Sequence, residues 1–208
     1  MLLNIAPGDK DRAMFLGATG SGKTWLALKL AERFFGEKQI QILNSKDDST
    51  INEIDAPNVS TLDDLAQYKF PEHPIVIYTP NGEELSDLQA LDDWCNWCYL
   101  RRNTHAFIDE LTQLGSGTYP KMGLLNLATR GRDRRVSAFF CSQRPVGIPK
   151  IVYTEAQYYY KFYLADVKDR KAVANYTMPS MILQVKDPHG FHFFKAGTRK
   201  VYYVKGVS

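Results

Sequence analysis

The chain has 208 residues, 44% of them hydrophobic and 24% charged, proportions that fit one α/β domain and exclude a disordered, collagen-like or coiled-coil chain. A net charge of +3 supplies no bulk attraction to nucleic acid, so any argument for DNA must come from where the charges sit. Three cysteines build no disulfide framework, and Cys95 and Cys98, with no second pair to complete a zinc site, read as small apolar residues on a helix.

In chain order, residues 13–16 are apolar and end at Gly17, which predicts a buried strand. Residues 25–35 carry apolar side chains at helical spacing, with Lys29, Glu32 and Arg33 on other faces and Gly36 as a stop. Alternation over 39–43 and the run Ile75-Val76-Ile77-Tyr78 within 74–78 predict two more strands. Between them 47–71 is polar, with a short helix opening at Asp63-Asp64. Leu85, Leu88, Leu91, Trp94 and Cys95 predict one long helix over 84–102.

A strand over 105–110 ends in two acids, a loop with two glycines and a proline covers 113–120, and 121–130 reads as a helix. Residues 136–141 predict another buried strand, 157–164 a tyrosine-rich strand packed in the sheet, and 166–176 a charged helix. Two or three strands are expected over 181–204, with a turn at Pro188-His189-Gly190. Strands alternating with helices predict a mostly parallel central sheet flanked by helices, with antiparallel strands at its C-terminal edge. No stretch approaches the roughly 18 apolar residues of a membrane span.

Gly17-Ala18-Thr19-Gly20-Ser21-Gly22-Lys23-Thr24 matches G-x-x-x-x-G-K-[ST] in full, between a predicted buried strand and a predicted amphipathic helix. Its glycines let backbone N–H groups surround phosphate oxygens, and the helix N-terminus adds positive potential. Lys23 is expected on the β- and γ-phosphates of ATP, Thr24 on Mg²⁺, and Trp25 next to the bound nucleotide. After Phe107-Ile108, Asp109 stands where a Walker B acid would hold Mg²⁺, and Glu110 where a carboxylate can activate water.

The strand ending Cys141-Ser142-Gln143 offers Gln143 as a γ-phosphate sensor. Arg130-Gly131-Arg132-Asp133-Arg134-Arg135 puts four arginines in six residues, suited to transition-state charge in a neighbouring subunit or to a phosphate backbone.

Together, GATGSGKT, FIDE, TRGRDRR and SQRP resemble the FtsK–HerA superfamily of DNA-pumping ATPases. The likeness covers about residues 10–165, and the chain looks most like the branch that packages genomes into membrane-containing icosahedral viruses with double jelly-roll capsids. The resemblance implies a RecA-like core, with 166–208 completing a single domain over 1–208, and a sensor strand between the Walker A and Walker B strands. It implies Gln143 as sensor and either Arg130 or Arg132 as a finger acting in trans. The choice stays open because Arg135-Val136 departs from the G-R-x-x-G-I pattern of cellular members.

It further implies a homohexamer that moves double-stranded DNA without regard to sequence. Its partners would be a capsid vertex or membrane proteins, its location the host cytoplasm or the virion, and it would be soluble. A cellular translocase or conjugation motor is the alternative setting, and a small-molecule kinase on the same P-loop core is the alternative class.

Overall fold

The computed structural model describes residues 5–114 and 120–206, so most of the loop predicted at 113–120 lies outside the described residues. Strand β1 (Arg12–Leu16) buries all five of its residues. A strand covered on both faces needs no polar alternation, which is why a short continuous apolar run marks the middle of a sheet. Helix α1 (Lys23–Ala31) follows and tightens into a 3₁₀ turn, Glu32–Phe34. Then come β2 (Gln39–Leu43), α2 (Ser49–Asn52), β3 (Asn58–Val59), α3 (Leu62–Leu65) and β4 (Ile75–Tyr78).

The long helix expected over 84–102 is two helices, α4 (Gly82–Ser86) and α5 (Leu88–Arg101). Asp87 separates them: its backbone is extended and its carboxylate accepts the Gln89 N–H, so it caps the second helix instead of continuing the first. The chain continues through β5 (Thr104–Ile108), α6 (Met122–Arg130), β6 (Ser137–Ser142), α7 (Lys150–Glu155) and β7 (Tyr158–Lys161). Asp166 caps α8 (Val167–Tyr176) in the same way as Asp87 caps α5.

The C-terminal segment holds a 3₁₀ turn, Pro179–Ile182, and two strands, β8 (Phe191–Lys195) and β9 (Val201–Val204). The turn at Pro188-His189-Gly190 therefore leads into β8 and does not join two strands. Among the described residues no helix is long and apolar enough to cross a membrane.

The nine strands of the described residues form one sheet in the order β3-β4-β2-β5-β6-β1-β7-β8-β9. Pairing is parallel from β3 to β7 and antiparallel for β7–β8 and β8–β9, so the mostly parallel sheet with antiparallel C-terminal strands is as the sequence predicted. Side chains alternate between two cores. Met14 and Leu16 join Leu91, Trp94, Cys95, Cys98, Leu124 and Val173 on one face. Ala13 and Phe15 join Leu26, Leu30, Phe34 and Ile51 on the other, where Phe15 stacks on Tyr160 with ring centroids 4.5 Å apart. Two packed faces fix the height of every strand, and hence the position of each strand tip.

Candidate nucleotide site

The loop between β1 and α1 hangs from two strand tips. The Gly17 N–H donates to the Ser142 carbonyl beyond β1 on one side (3.1 Å), and the Ala18 N–H to the Tyr163 carbonyl on the other (2.9 Å). A Cβ on Gly17 would lie 2.6 Å from both Phe162 Cβ and Ser21 Oγ, so only glycine fits. Gly20 and Gly22 adopt φ of +72° and +89°, which turns successive N–H groups toward one hollow.

Gly22 is also the N-cap of α1, and among the described residues no side chain caps the helix or places an acid in its first turn. The first-turn donors and the positive end of the helix are thus left for an anion. Lys23 and Thr24 are buried at this point, while Trp25 is exposed on the next position of the helix.

Strand order brings the other predicted residues to the same edge. The β6 strand lies between β5 and β1, so Asp109, Gln143 and the P-loop sit at three neighbouring strand ends. Asp109 is 2% exposed, and its Oδ2 has no hydrogen-bond partner among the described residues. Burial pushes its carboxyl up to about 6; nearby Asp48 adds to this, and Lys23 and Lys46 pull it back. A buried, unpartnered carboxylate oxygen on the sheet edge that also carries the buried threonine is a donor set suited to Mg²⁺, so the residues present fit that ion.

Glu110 is as buried as Asp109 but fully occupied. Its Oε2 accepts Lys46 Nζ at 2.6 Å and the Gln143 N–H at 3.1 Å. Its Oε1 accepts the hydroxyls of Thr112 and Ser142, both at 2.8 Å. Burial alone would raise its carboxyl; hydrogen bonds from Lys46, Thr112 and Ser142 outweigh that and hold it below the usual glutamate value. The sequence reading did not select Lys46. It follows β2, and only the pairing of β2 with β5 brings it to a residue 64 positions away.

Arg130 and Arg132 are not at this edge. They precede β6, at the opposite end of a six-residue strand, roughly 20 Å from the P-loop. Arg130 donates to Asn126 Oδ1 at 3.2 Å, and exposed Arg132 lies 3.9 Å from Asp11. Neither reaches the site of its own chain. Arg144, which the sequence reading passed over, does stand at the site edge, turned aside by ion pairs to Asp169 (3.2 Å) and Asp166 (3.6 Å).

No protein-family model matches the chain. Over 173 residues it is 28% identical to the DNA packaging ATPase P9 of Enterobacteria phage PRD1, an alignment spanning 82% of this chain and 71% of that protein. The genome packaging NTPase B204 of Sulfolobus turreted icosahedral virus 2, solved with AMPPCP, shares the fold with a TM-score of 0.72 at 14% identity, covering 97% of this chain and 100% of that one. VirB4 of Thermoanaerobacter pseudethanolicus does so with a TM-score of 0.70 at 11% identity, covering 97% and 91%.

Proposed function

We propose that the chain is an ATP-hydrolysing motor that drives double-stranded DNA into a viral capsid. One observation carries this reading: the chain is similar to phage packaging ATPase P9 over 82% of its length, and it holds a complete P-loop at the same sheet edge as a pair of acids. Both viral relatives are described as genome or DNA packaging proteins, and B204 has been solved with ATP analogues.

In this reading the N–H groups of residues 17–24 and the Lys23 ammonium hold the phosphates of ATP. Thr24 and Asp109 hold Mg²⁺, which when bound offsets phosphate charge. Glu110 takes the proton of the attacking water, and it does so only after giving up some of the donors that now saturate it. Gln143, whose N–H already touches Glu110, couples that carboxylate to the terminal phosphate. Arg130 or Arg132 of a neighbouring copy supplies the missing positive charge, which requires a ring of subunits, taken here as a hexamer. DNA would be gripped through its phosphates, without base reading. The capsid vertex would anchor the motor.

The test is steady-state ATP hydrolysis with and without long double-stranded DNA, for the wild type, Lys23→Ala and Glu110→Gln. Expected are turnover that rises with DNA, loss of both binding and turnover in Lys23→Ala, and retained binding without turnover in Glu110→Gln. A wild-type protein that assembles into rings, binds ATP and never hydrolyses it contradicts the reading.

A further inference from the structure

The P-loop has two sides. On the β5–β6 side stand Asp109, Glu110 and Gln143, where the terminal phosphate must lie if these residues are to act on it. On the β7–β8 side is a cavity of about 260 Å³ lined by Gly20, Ser21, Tyr163, Lys186, Pro188 and His189, among others. A nucleoside triphosphate is a directional ligand. With its γ end toward β5 and β6, its nucleoside end leaves the loop on the other side. We propose that this cavity is the nucleoside subsite, in which Tyr163 and the turn at 187–190 take the base and ribose. The proposal rests on the ATP reading above and adds to it a second set of binding residues.

The turn is held in place by its own contacts. Tyr203 Oη on β9 donates to Asp187 Oδ2 (2.7 Å) and accepts the Asp187 N–H (3.2 Å). The Gly190 N–H closes the turn on the Asp187 carbonyl at 3.1 Å. A Cβ on Gly206 would lie 2.0 Å from the Pro188 carbonyl, so that position needs glycine, and one on Gly190 would crowd Tyr203 Oη at 2.9 Å. His189 adopts a left-handed φ of 57°, and its Nδ1 lies 3.2 Å from where a Cβ on Gly22 would sit.

The opposite wall is tied to the P-loop as well, through the Tyr163 carbonyl that accepts the Ala18 N–H. Phe162 and Phe191, with ring centroids 5.2 Å apart, lock the two walls together. The β8–β9 hairpin thereby acquires a role that its sequence did not disclose: it presents the turn to the P-loop.

The lining suits a nucleoside. Tyr163 is 46% exposed, with an aromatic face on which a base can stack, and His189 and Pro188 supply two further rings. The Ser21 hydroxyl is shielded from solvent and has no partner among the described residues. A cavity of this size is near the lower end for small-molecule sites, adequate for a base and sugar whose phosphates lie outside it.

Calorimetric titration of the full chain with AMPPCP and with inorganic tripolyphosphate, both with Mg²⁺, separates the two halves of the ligand. Tyr163→Ala and His189→Gly are expected to weaken AMPPCP binding roughly 10-fold each, as loss of a stacking ring does. Tripolyphosphate binding should be unchanged, and Tyr163→Phe should behave as wild type. Glycine accepts the φ of residue 189 without strain, so that variant removes only the ring. Unchanged AMPPCP affinity in both variants overturns the proposal, and so does a parallel loss of both ligands, which would mark the turn as a support of the P-loop. A wild-type protein that binds neither ligand overturns the ATP reading itself, a different and recognisable result.

Discussion

Glu110 occupies an unusual position for the proposed base, because both of its carboxylate oxygens already accept hydrogen bonds. The Lys46 ammonium donates the strongest of them, 2.6 Å away with its partner 2% exposed. A carboxylate held this way stays ionised but shares its electron density with a cation, so Lys46 sets both its charge and its availability. Removing the ammonium in Lys46→Ala leaves burial as the larger influence, and the Glu110 carboxyl must rise.

A glutamate held below its unfolded value contributes stability above that value and loses it as pH falls through the folded one. Without Lys46 that contribution shrinks. Hydrolysis by Lys46→Ala should show its acidic limb moved to higher pH, whereas Lys46→Arg should leave it in place. Superimposable pH profiles for wild type and Lys46→Ala would show that the ion pair does not govern the base.

At the scale of elements, the join between α5 and α6 controls how the acidic edge connects to the arginines. No side chain of its own caps α6; instead both carboxylate oxygens of Asp92, on α5, accept the N–H groups of Gly123 and Leu124 at 2.8 Å. So close an approach leaves no room at Gly123, where a Cβ would fall 2.0 Å from the Asp92 carbonyl oxygen. Gly123→Ala must therefore push the helices apart. A loss of at least about 2 kcal/mol is expected, visible as a lower urea midpoint with the slope unchanged. A midpoint equal to wild type would mean that the helices slide freely.

The same scale shows what a linear reading captures. Central strands such as β1 and β5 were legible because burial on both faces demands unbroken apolar runs, and the P-loop because its glycines obey strict backbone geometry. The two-residue β3 was not, since it buries only Val59 and takes its place from pairing with β4. The break at Asp87 was missed because apolar spacing continues across it; only the capping hydrogen bond marks the boundary. The roles of Lys46 and of the turn at 187–190 were not identifiable because their neighbours are supplied by sheet order, which no local pattern encodes.

For the molecule as a whole, the decisive fact is that the two sets of residues assigned to the proposed site lie at opposite ends of one sheet. The P-loop, Asp109, Glu110 and Gln143 are at the carboxyl ends of the strands, while Arg130 and Arg132 precede β6 at the amino ends. One chain cannot bring them together across roughly 20 Å of buried strand. A head-to-tail ring can, because each interface then joins one copy's carboxyl edge to the next copy's amino edge.

Such a ring makes a prediction that a self-contained site does not. A double variant lacking both Arg130 and Arg132 keeps an intact base, and Glu110→Gln keeps intact arginines; each alone should be inactive. Mixed in equal amounts before assembly, they should recover hydrolysis. An interface is complete when the arginine-free copy supplies the site and its neighbour supplies the arginines, and random mixing makes roughly a quarter of interfaces complete. Measured turnover should therefore climb from background toward that fraction of wild type, rising and falling with the mixing ratio and peaking near one to one. If the mixture stays at background at every ratio, while rings containing both variants are demonstrably present, the arginines do not act across the interface.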